Sequence, residues 1–372
     1  MIYNTFKDKE LSALGLGCMR LPTVNGEYGK IDMDATAEMV KYAMGQGVNY
    51  FDTAWGYHEH NSETAMGEIL SKYPRESYYL ASKFPGFEAK ELEKKEEIFE
   101  KQLEKCKTDY FDFYLLHCVI EDTVEGYLDP KYGLVEYLLE QKKAGRIRHL
   151  GFSSHAKLPT LKRFLEAKGE YMEFCQIQLN WMDWELQDAK GQVEMLRSYG
   201  LPVWVMEPVR GGRLANIPQQ FATPLRELEP ERSDPEWAFR FLQSIPEVTV
   251  VLSGMSNMEQ MQQNIATFAE HKPLTESQCQ VLFEVARKMN FTNTLTCTGC
   301  RYCTTKCPQE LAIPELIKRY NKSIFSGKLD MEGAGEHEVP ADCVGCQCCE
   351  TVCPQNIKIA DMMADMTEKL KA

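Results

Sequence analysis

The chain has 372 residues, 44% of them hydrophobic, and a formal net charge of −13 at pH 7. That length predicts a large domain followed by a smaller one. The acidic balance argues against nucleic acid, which rewards clustered Lys and Arg, and without a run of about 18 apolar residues no membrane span is expected.

The N-terminal stretch MIYNTFKDKELSALGLG has no apolar core of signal-peptide length, so a cytoplasmic location is expected. Through residue 272 the chain alternates short apolar runs with charged, helix-period stretches. The runs are LSALGLG, VNYFDT, YYLASKF, FDFYLLH, IRHLGFSS, FCQIQLN, PVWVMEPV and VTVVLSGM, which read as buried strands. Between them, stretches such as DATAEMVKYAMGQG and NMEQMQQNIATFAE space apolar residues three and four apart, as amphipathic helices do. Strand and helix in turn imply a parallel sheet. Eight such repeats predict an α/β fold, a (β/α)8 TIM barrel over residues 1–272, with the N-terminal stretch as a short hairpin capping its floor. No G-x-G-x-x-G follows an early strand, which counts against a Rossmann domain.

Pro273 breaks the helical pattern, and the composition changes after it. Of 14 cysteines, nine lie between residues 297 and 353. Residues 273–372 read as a small helix-rich ferredoxin-like domain. Its helix candidates are SQCQVLFEVARKM, PELIKRYNKSIF and IKIADMMADMTEKLKA, with GKLDMEGAGEHEVP as linker.

Cys297, Cys300, Cys303 and Cys307 follow C-x2-C-x2-C-x3-C-P, and Cys343, Cys346, Cys349 and Cys353 repeat it. Spacings of two let three thiolates of one loop converge on one face of an iron–sulfur cube, while the fourth points into the other. Two [4Fe–4S] clusters are therefore expected. Cys297, Cys300, Cys303 and Cys353 would hold one, and Cys343, Cys346, Cys349 and Cys307 the other. Structural zinc is the alternative, but a four-thiolate zinc site needs only two C-x2-C pairs. Cys348 is out of register and reads as a neighbour. The two phrases resemble bacterial two-cluster ferredoxins, and the helical insert between them resembles ferredoxin modules of larger redox enzymes, whose clusters pass single electrons.

Asp52, Tyr57, Lys83 and His117 lie at or just past the ends of the second, third and fourth strands. In a barrel these positions gather at the C-terminal mouth. Each alone reads as a helix cap, rim or packed polar residue. Together they describe a proton-donating site. A phenol is a poor acid at neutral pH; an ammonium beside it lowers its pKa, a carboxylate holds the ammonium, and an imidazole orients the accepting oxygen.

GLGCMRLP, FDTAWGY, SKF, LLH and GFSS together resemble the aldo/keto reductase family, and the whole chain is similar to its iron–sulfur members. The resemblance implies NADPH or NADH bound without a Rossmann fold. It makes Tyr57 the general acid, tuned by Lys83 and Asp52, with His117 positioning the carbonyl. Ser153, Ser154 and Gln176 match the nicotinamide carboxamide contacts. MEPVRGGRL, with Glu207, Val209, Arg210, Gly211 and Gly212, falls where the family cradles the pyrophosphate, and such N–H concavities suit anions. Arg210 or Arg213 would neutralise the anion; a plain strand-to-helix turn is the alternative. Met206 replaces an aromatic ring common in the family. Asn264 matches an adenine contact, but Gln260 stands where the family carries Arg, and residues 252–264 contain no Lys or Arg. A 2′-phosphate so loses its ionic partner, leaving NADH and NADPH open, with a flavin as a further alternative.

His58, His60 and His155, with Trp55, Trp181 and Trp184, are candidates to line a substrate cavity or face water. Cys118 reads as a small buried hydrophobe, KELEKKEEIFEKQLEK as a solvated helix face, and KKAGRIRH as a redox-partner surface or a helix C-terminus that favours cations. A small carbonyl or alcohol substrate and a ferredoxin or flavodoxin redox partner are expected. An electron-transfer or scaffold protein with a silent barrel is the rival reading.

Overall fold

The eight apolar runs lie side by side in chain order. The structure is a computed structural model describing residues 1–290, 294–326 and 328–371. Gly327, the start of the expected linker, and Ala372, the end of the expected last helix, lie outside them. Strands β1 (Tyr3–Phe6) and β2 (Lys9–Ser12) form an antiparallel hairpin. Eight parallel strands come next: β3 (Leu14–Gly17), β4 (Tyr50–Asp52), β5 (Tyr79–Phe84), β6 (Phe111–Val119), β7 (Ile147–Ser154), β8 (Cys175–Gln178), β9 (Val203–Met206) and β10 (Val248–Ser253). They close in sequence order, β10 pairing with both β9 and β3. Helices alternate with them, so this is the expected (β/α)8 barrel.

The barrel interior is packed, not open. Tyr50, Phe113, Phe174 and Trp204 fill its lower part together with Phe6 from the hairpin. Phe6 meets the Trp204 ring edge-on at 5.1 Å. The hairpin therefore plugs the end of the barrel opposite the strand C-termini, the floor it was expected to cap.

By compactness the chain divides into two units. The first comprises Met1–Val209 and Leu225–Phe283, the second Arg210–Pro224 and Glu284–Ala372. The division expected from composition, at 272/273, precedes this one. The cause is packing: helix Glu276–Asn290 begins in the barrel unit, where the Phe283 ring meets Phe241 at 5.9 Å and Gln278 Nε2 donates to Glu229 at 2.8 Å.

The second unit has a core of its own. Helices Ile313–Ser326 and Ile359–Lys369 each bury an i, i+3, i+4 stripe, Ile313–Leu316–Ile317 and Ile359–Met362–Met363, the latter extended by Met366. Tyr320 donates to Asp365 Oδ2 at 2.7 Å across the pair. Asn321 ties the chain before the first cysteine phrase to its helix, exchanging two 2.8 Å hydrogen bonds with the Leu295 backbone.

Candidate functional site

Asp52 closes β4, Tyr57 lies in the next loop, Lys83 is next to last in β5, and His117 lies near the end of β6. The closed barrel brings all four together. Lys83 Nζ donates to Asp52 Oδ1 at 2.5 Å, to the Thr53 carbonyl at 2.9 Å and to Tyr57 Oη at 3.4 Å. The Tyr57 and His117 rings meet edge to face, 5.9 Å between centroids. Lys83 is fully buried and the other three nearly so.

Supports that sequence reasoning missed surround this group. β6 bulges between Leu116 and Val119, and Cys118 there takes a positive φ of 59°. A bulge re-aims the side chains beside it. Cys118 N donates to Ser153 Oγ at 2.8 Å, and Tyr127 Oη donates to the His117 carbonyl at 2.5 Å. Gly86 (φ 62°) is needed because a Cβ there would overlap Tyr127. Behind β5, Gln102 Nε2 donates to the Lys83 carbonyl at 3.0 Å and to Glu63 Oε1 at 2.5 Å, and Tyr114 Oη donates to Gln102 Oε1 at 2.5 Å. Gln102 and Glu63 are fully buried. The charge-rich stretch KELEKKEEIFEKQLEK is thus solvated on one face only, and its single Gln was the clue to the other. Nothing in the spacing of Tyr127 announces its reach to His117.

Electrostatics follow from burial. Desolvation pushes the Tyr57 phenol well above its usual value, and the Asp52 charge adds to this. Burial also raises the Asp52 carboxyl against the pull of Lys83. The His117 imidazole is pushed well below its usual value by burial, then by Lys83 and His155. The expected lowering of the phenol is therefore not what this buried site produces. Lys83 sits at 2.5 Å from Asp52 but 3.4 Å from Tyr57, so its charge is spent largely on the carboxylate. Tyr57 keeps its proton and His117 stays neutral near pH 7.

Ser153 and Gln176 are register partners on β7 and β8. Gln176 Oε1 is buried without a hydrogen-bond partner among the described residues. Ser153 Oγ accepts from Cys118 N, which leaves its hydroxyl proton for an acceptor. One acceptor and one donor side by side fit a carboxamide. Ser154 Oγ is differently engaged, donating to the Val119 carbonyl and accepting from Ala156 N, each at 3.1 Å. Glu207 has a left-handed backbone (φ 55°) and pairs with Arg20 at 3.3 Å, and its carbonyl accepts from Asn180 at 3.0 Å. Arg20 escaped sequence reasoning because it comes after a strand with no polar signature. Val209 is half-buried at the end of the barrel unit. Arg210 is buried, with its guanidinium on Thr296 and Gln355. A Cβ on Gly211 would overlap Thr298, whereas Gly212 (φ 94°) has open space beside it. Arg213 donates to Thr294 Oγ1 at 3.1 Å. Gln260 folds back to accept from Ser256 N at 2.8 Å, and Asn264 donates to Ser253 Oγ at 3.1 Å.

The histidines separate. His58 is a strap: Nδ1 bonds the Tyr28 carbonyl at 2.6 Å, and Leu21 N donates to Nε2 at 3.1 Å. His60 meets the Trp55 ring at 5.5 Å. His155 is held at about 4 by burial, and its Nδ1 has no hydrogen-bond partner among the described residues. Trp181 is fully buried and Trp184 packs on Phe241. In KKAGRIRH, Arg146 forks onto Glu100 at 2.6 and 2.7 Å and Lys142 pairs with Glu173 at 2.5 Å. These cations are occupied internally.

In the second unit two cavities each collect four cysteines. One is lined by Cys297, Cys300, Cys303 and Cys353, the other by Cys307, Cys343, Cys346 and Cys349. Each set takes three thiols from one phrase and the fourth from the other. Among the described residues no three Cys, His, Asp or Glu groups converge closely enough to hold a single metal ion. Four thiols around a cavity instead suit a cluster, in which each thiolate binds a different iron. Cys348 lines neither cavity.

A closed (β/α)8 barrel with a buried Asp–Lys–Tyr–His group at its strand ends defines an oxidoreductase-type barrel, here followed by a cysteine-cage domain. The aldo/keto reductase family model matches residues 13–287 and the 4Fe-4S dicluster domain model residues 296–357; the chain belongs to the aldo/keto reductase family and carries that dicluster domain after its barrel. It is 27% identical over 307 residues to the uncharacterized oxidoreductase YqkF of Bacillus subtilis, a match spanning 74% of this chain and 92% of that protein. It is 26% identical over 227 residues to the NADH-specific methylglyoxal reductase of Escherichia coli, spanning 56% of this chain and 66% of that protein. Among solved structures, the holo form of an aldo-keto reductase from Bacillus halodurans superposes with a TM-score of 0.62 at 26% identity, covering 75% of this chain and 93% of that one. No helix of the described residues is long and apolar enough to cross a membrane.

Proposed function

We propose that the barrel reduces a small carbonyl compound, or oxidises the matching alcohol, with a nicotinamide cofactor, and that the C-terminal unit holds two [4Fe–4S] clusters that exchange single electrons with an outside carrier such as a ferredoxin or flavodoxin. The observation that carries the barrel reading is Lys83 set between Asp52 and Tyr57, with the His117 ring against the phenol. The bound nicotinamide supplies the hydride. Tyr57 Oη, still protonated, gives its proton to the carbonyl oxygen as charge develops there. Neutral His117 offers an N–H to the same oxygen and fixes its orientation. Lys83 stabilises the phenolate left behind, and Asp52 keeps Lys83 charged in a buried place. Ser153 and Gln176 hold the carboxamide, which supports the nicotinamide in a single orientation.

NADH is the favoured dinucleotide. Gln260 is turned back onto Ser256, and residues 252–264 offer no cation for a 2′-phosphate. The name of the E. coli relative, an NADH-specific reductase, agrees with this. The two four-cysteine cavities support two clusters, one per cavity. Clustered thiols of this kind belong in a reducing compartment, which supports a cytoplasmic location.

The test is Tyr57→Phe. Dinucleotide binding, read by tryptophan fluorescence, should be kept, and carbonyl reduction should fall about 10²–10⁴-fold, the usual worth of a positioned acid. Unchanged turnover would remove Tyr57 from the reaction. Mixing the anaerobic brown protein with NADH should bleach its visible absorption if electrons reach the clusters. An unaltered spectrum would leave the clusters with a structural role.

A further inference from the structure

The loop that carries Tyr57 runs into a left-handed turn. His58, Glu59 and His60 take φ of 51°, 54° and 71°, three successive residues of which none is glycine. Such a backbone is costly for a residue with a Cβ and persists only where the surroundings over-determine it. From inside, His58 is bonded through both ring nitrogens, to the Tyr28 carbonyl and to Leu21 N. From outside, the turn is held by Lys105, the last residue of helix Lys95–Lys105. Lys105 Nζ donates to the His60 carbonyl at 2.8 Å. It also lies 4.4 Å from the centre of the Trp55 ring, which meets the His60 ring edge-on.

The same ammonium pairs with Glu63 Oε2 at 3.4 Å. Glu63 lies in the first turn of helix Ser62–Leu70 and is fully buried, so it requires a charged or hydrogen-bonded partner. Its other oxygen accepts from Ser82 Oγ at 2.6 Å and from Gln102 Nε2 at 2.5 Å. Ser82 directly precedes Lys83 in β5, and Gln102 donates to the Lys83 carbonyl at 3.0 Å. A Cβ on Gly67 would overlap the Lys105 carbonyl, so the two helices touch where the ammonium is anchored. Lys105 therefore joins the turn that follows Tyr57 to the strand that presents Lys83. Both sides of the 3.4 Å contact between Lys83 Nζ and Tyr57 Oη are tied to one carboxylate.

We propose that Lys105 is a positioning residue for the proton donor: anchored on Glu63, it holds the left-handed turn His58–His60 and so sets the distance between Tyr57 Oη and Lys83 Nζ. Its hydrogen bonds go to His60 and Glu63, so it acts on the reaction through the Tyr57 loop. This rests on the reading of Tyr57 as the general acid given above. Lys105 closes the charge-rich stretch KELEKKEEIFEKQLEK, whose solvated appearance conceals it.

The experiment is a double-mutant cycle between Lys105 and Tyr57 in the full-length anaerobic protein, read by NADH-dependent reduction of 4-nitrobenzaldehyde. Lys105→Met should lower kcat about 10- to 100-fold, the usual cost of a misplaced reacting group. KM and the NADH affinity should stay within about twofold, because the substitution misplaces an acid and removes no binding contact. Lys105→Arg keeps the charge and the donors and should recover kcat to within about threefold of the wild type. In a Tyr57→Phe background the same Lys105→Met change should alter turnover less than about twofold, since residues acting as a unit are not additive. An equal fall in both backgrounds overturns the proposal, as does a wild-type kcat for Lys105→Met. Should Lys105→Met not fold, Lys105→Gln takes its place in both backgrounds with the same two outcomes. The reading beneath fails differently: a wild type without activity, or a Tyr57→Phe protein with unchanged turnover, removes the general acid itself and the positioning role with it.

Discussion

At the residue scale the Asp52–Lys83 pair sets most of what the site can do. Both groups are buried, so each is tolerable only beside the other. Asp52→Asn leaves an ammonium without its counter-charge and should cost about 3–5 kcal/mol of stability, measured as a lower urea midpoint. Acid should weaken the folded state for a second reason. Burial depresses His117, His155 and His58 below their unfolded values. The unfolded chain then binds more protons than the folded one as pH falls below about 6.5, so stability drops across that window and is restored as pH rises. A His117→Gln variant should show a shallower fall in urea midpoint between pH 6.5 and 4.5 than the wild type. An identical slope would mean that His117 does not carry this linkage.

At the scale of elements, the bulge at the end of β6 and the loops around it decide how His117 is aimed. Tyr127 fastens the bulge through the His117 carbonyl, and Gly86 makes room for it. Tyr127→Phe should keep the fold and the dinucleotide affinity but lower kcat with little change in KM, because removing one buried hydrogen bond costs about 1–3 kcal/mol. The strands and the tetrad were legible in the sequence for a simple reason. Buried parallel strands are continuous apolar runs, so a polar residue at the end of one, such as Lys83 in ASKF or His117 in FYLLH, stands out. Tyr127, Gln102 and Arg20 were not legible, because each acts from a helix or loop whose periodicity gives no sign of what its side chain reaches. The direction of the Tyr57 shift was also hidden. It turns on how completely the phenol is buried and on the Asp52 charge beside it, neither of which spacing encodes.

At the scale of the molecule, the chain is two compact units with one interleaving. Residues 210–224 leave the barrel strand β9 and fold with the cysteine unit, so the chain passes between units at 209/210 and 224/225 as well as after Phe283. The cysteine pairing is also interleaved: Cys353 lines the cavity of the first phrase and Cys307 that of the second. If this exchange holds, Cys353→Ser and Cys297→Ser should diminish the same magnetic signal, and Cys307→Ser the other. Dinucleotide binding should survive in all three, since no cysteine of the phrases belongs to the barrel unit. A Cys353→Ser protein that lost the signal associated with Cys343 would break the proposed ligation.

That exchange has a bearing on how the protein is made. A ribosome that has released only the first phrase has delivered three of the four thiols of the first cavity. The remaining one arrives some fifty residues later, after a helix and a linker. On the proposed ligation neither cube can be finished early, and iron delivered to a half-emerged chain finds only incomplete cages. Cluster insertion becomes a late event in the life of each molecule, reserved for chains whose synthesis has passed Cys349 for one cube and Cys353 for the other.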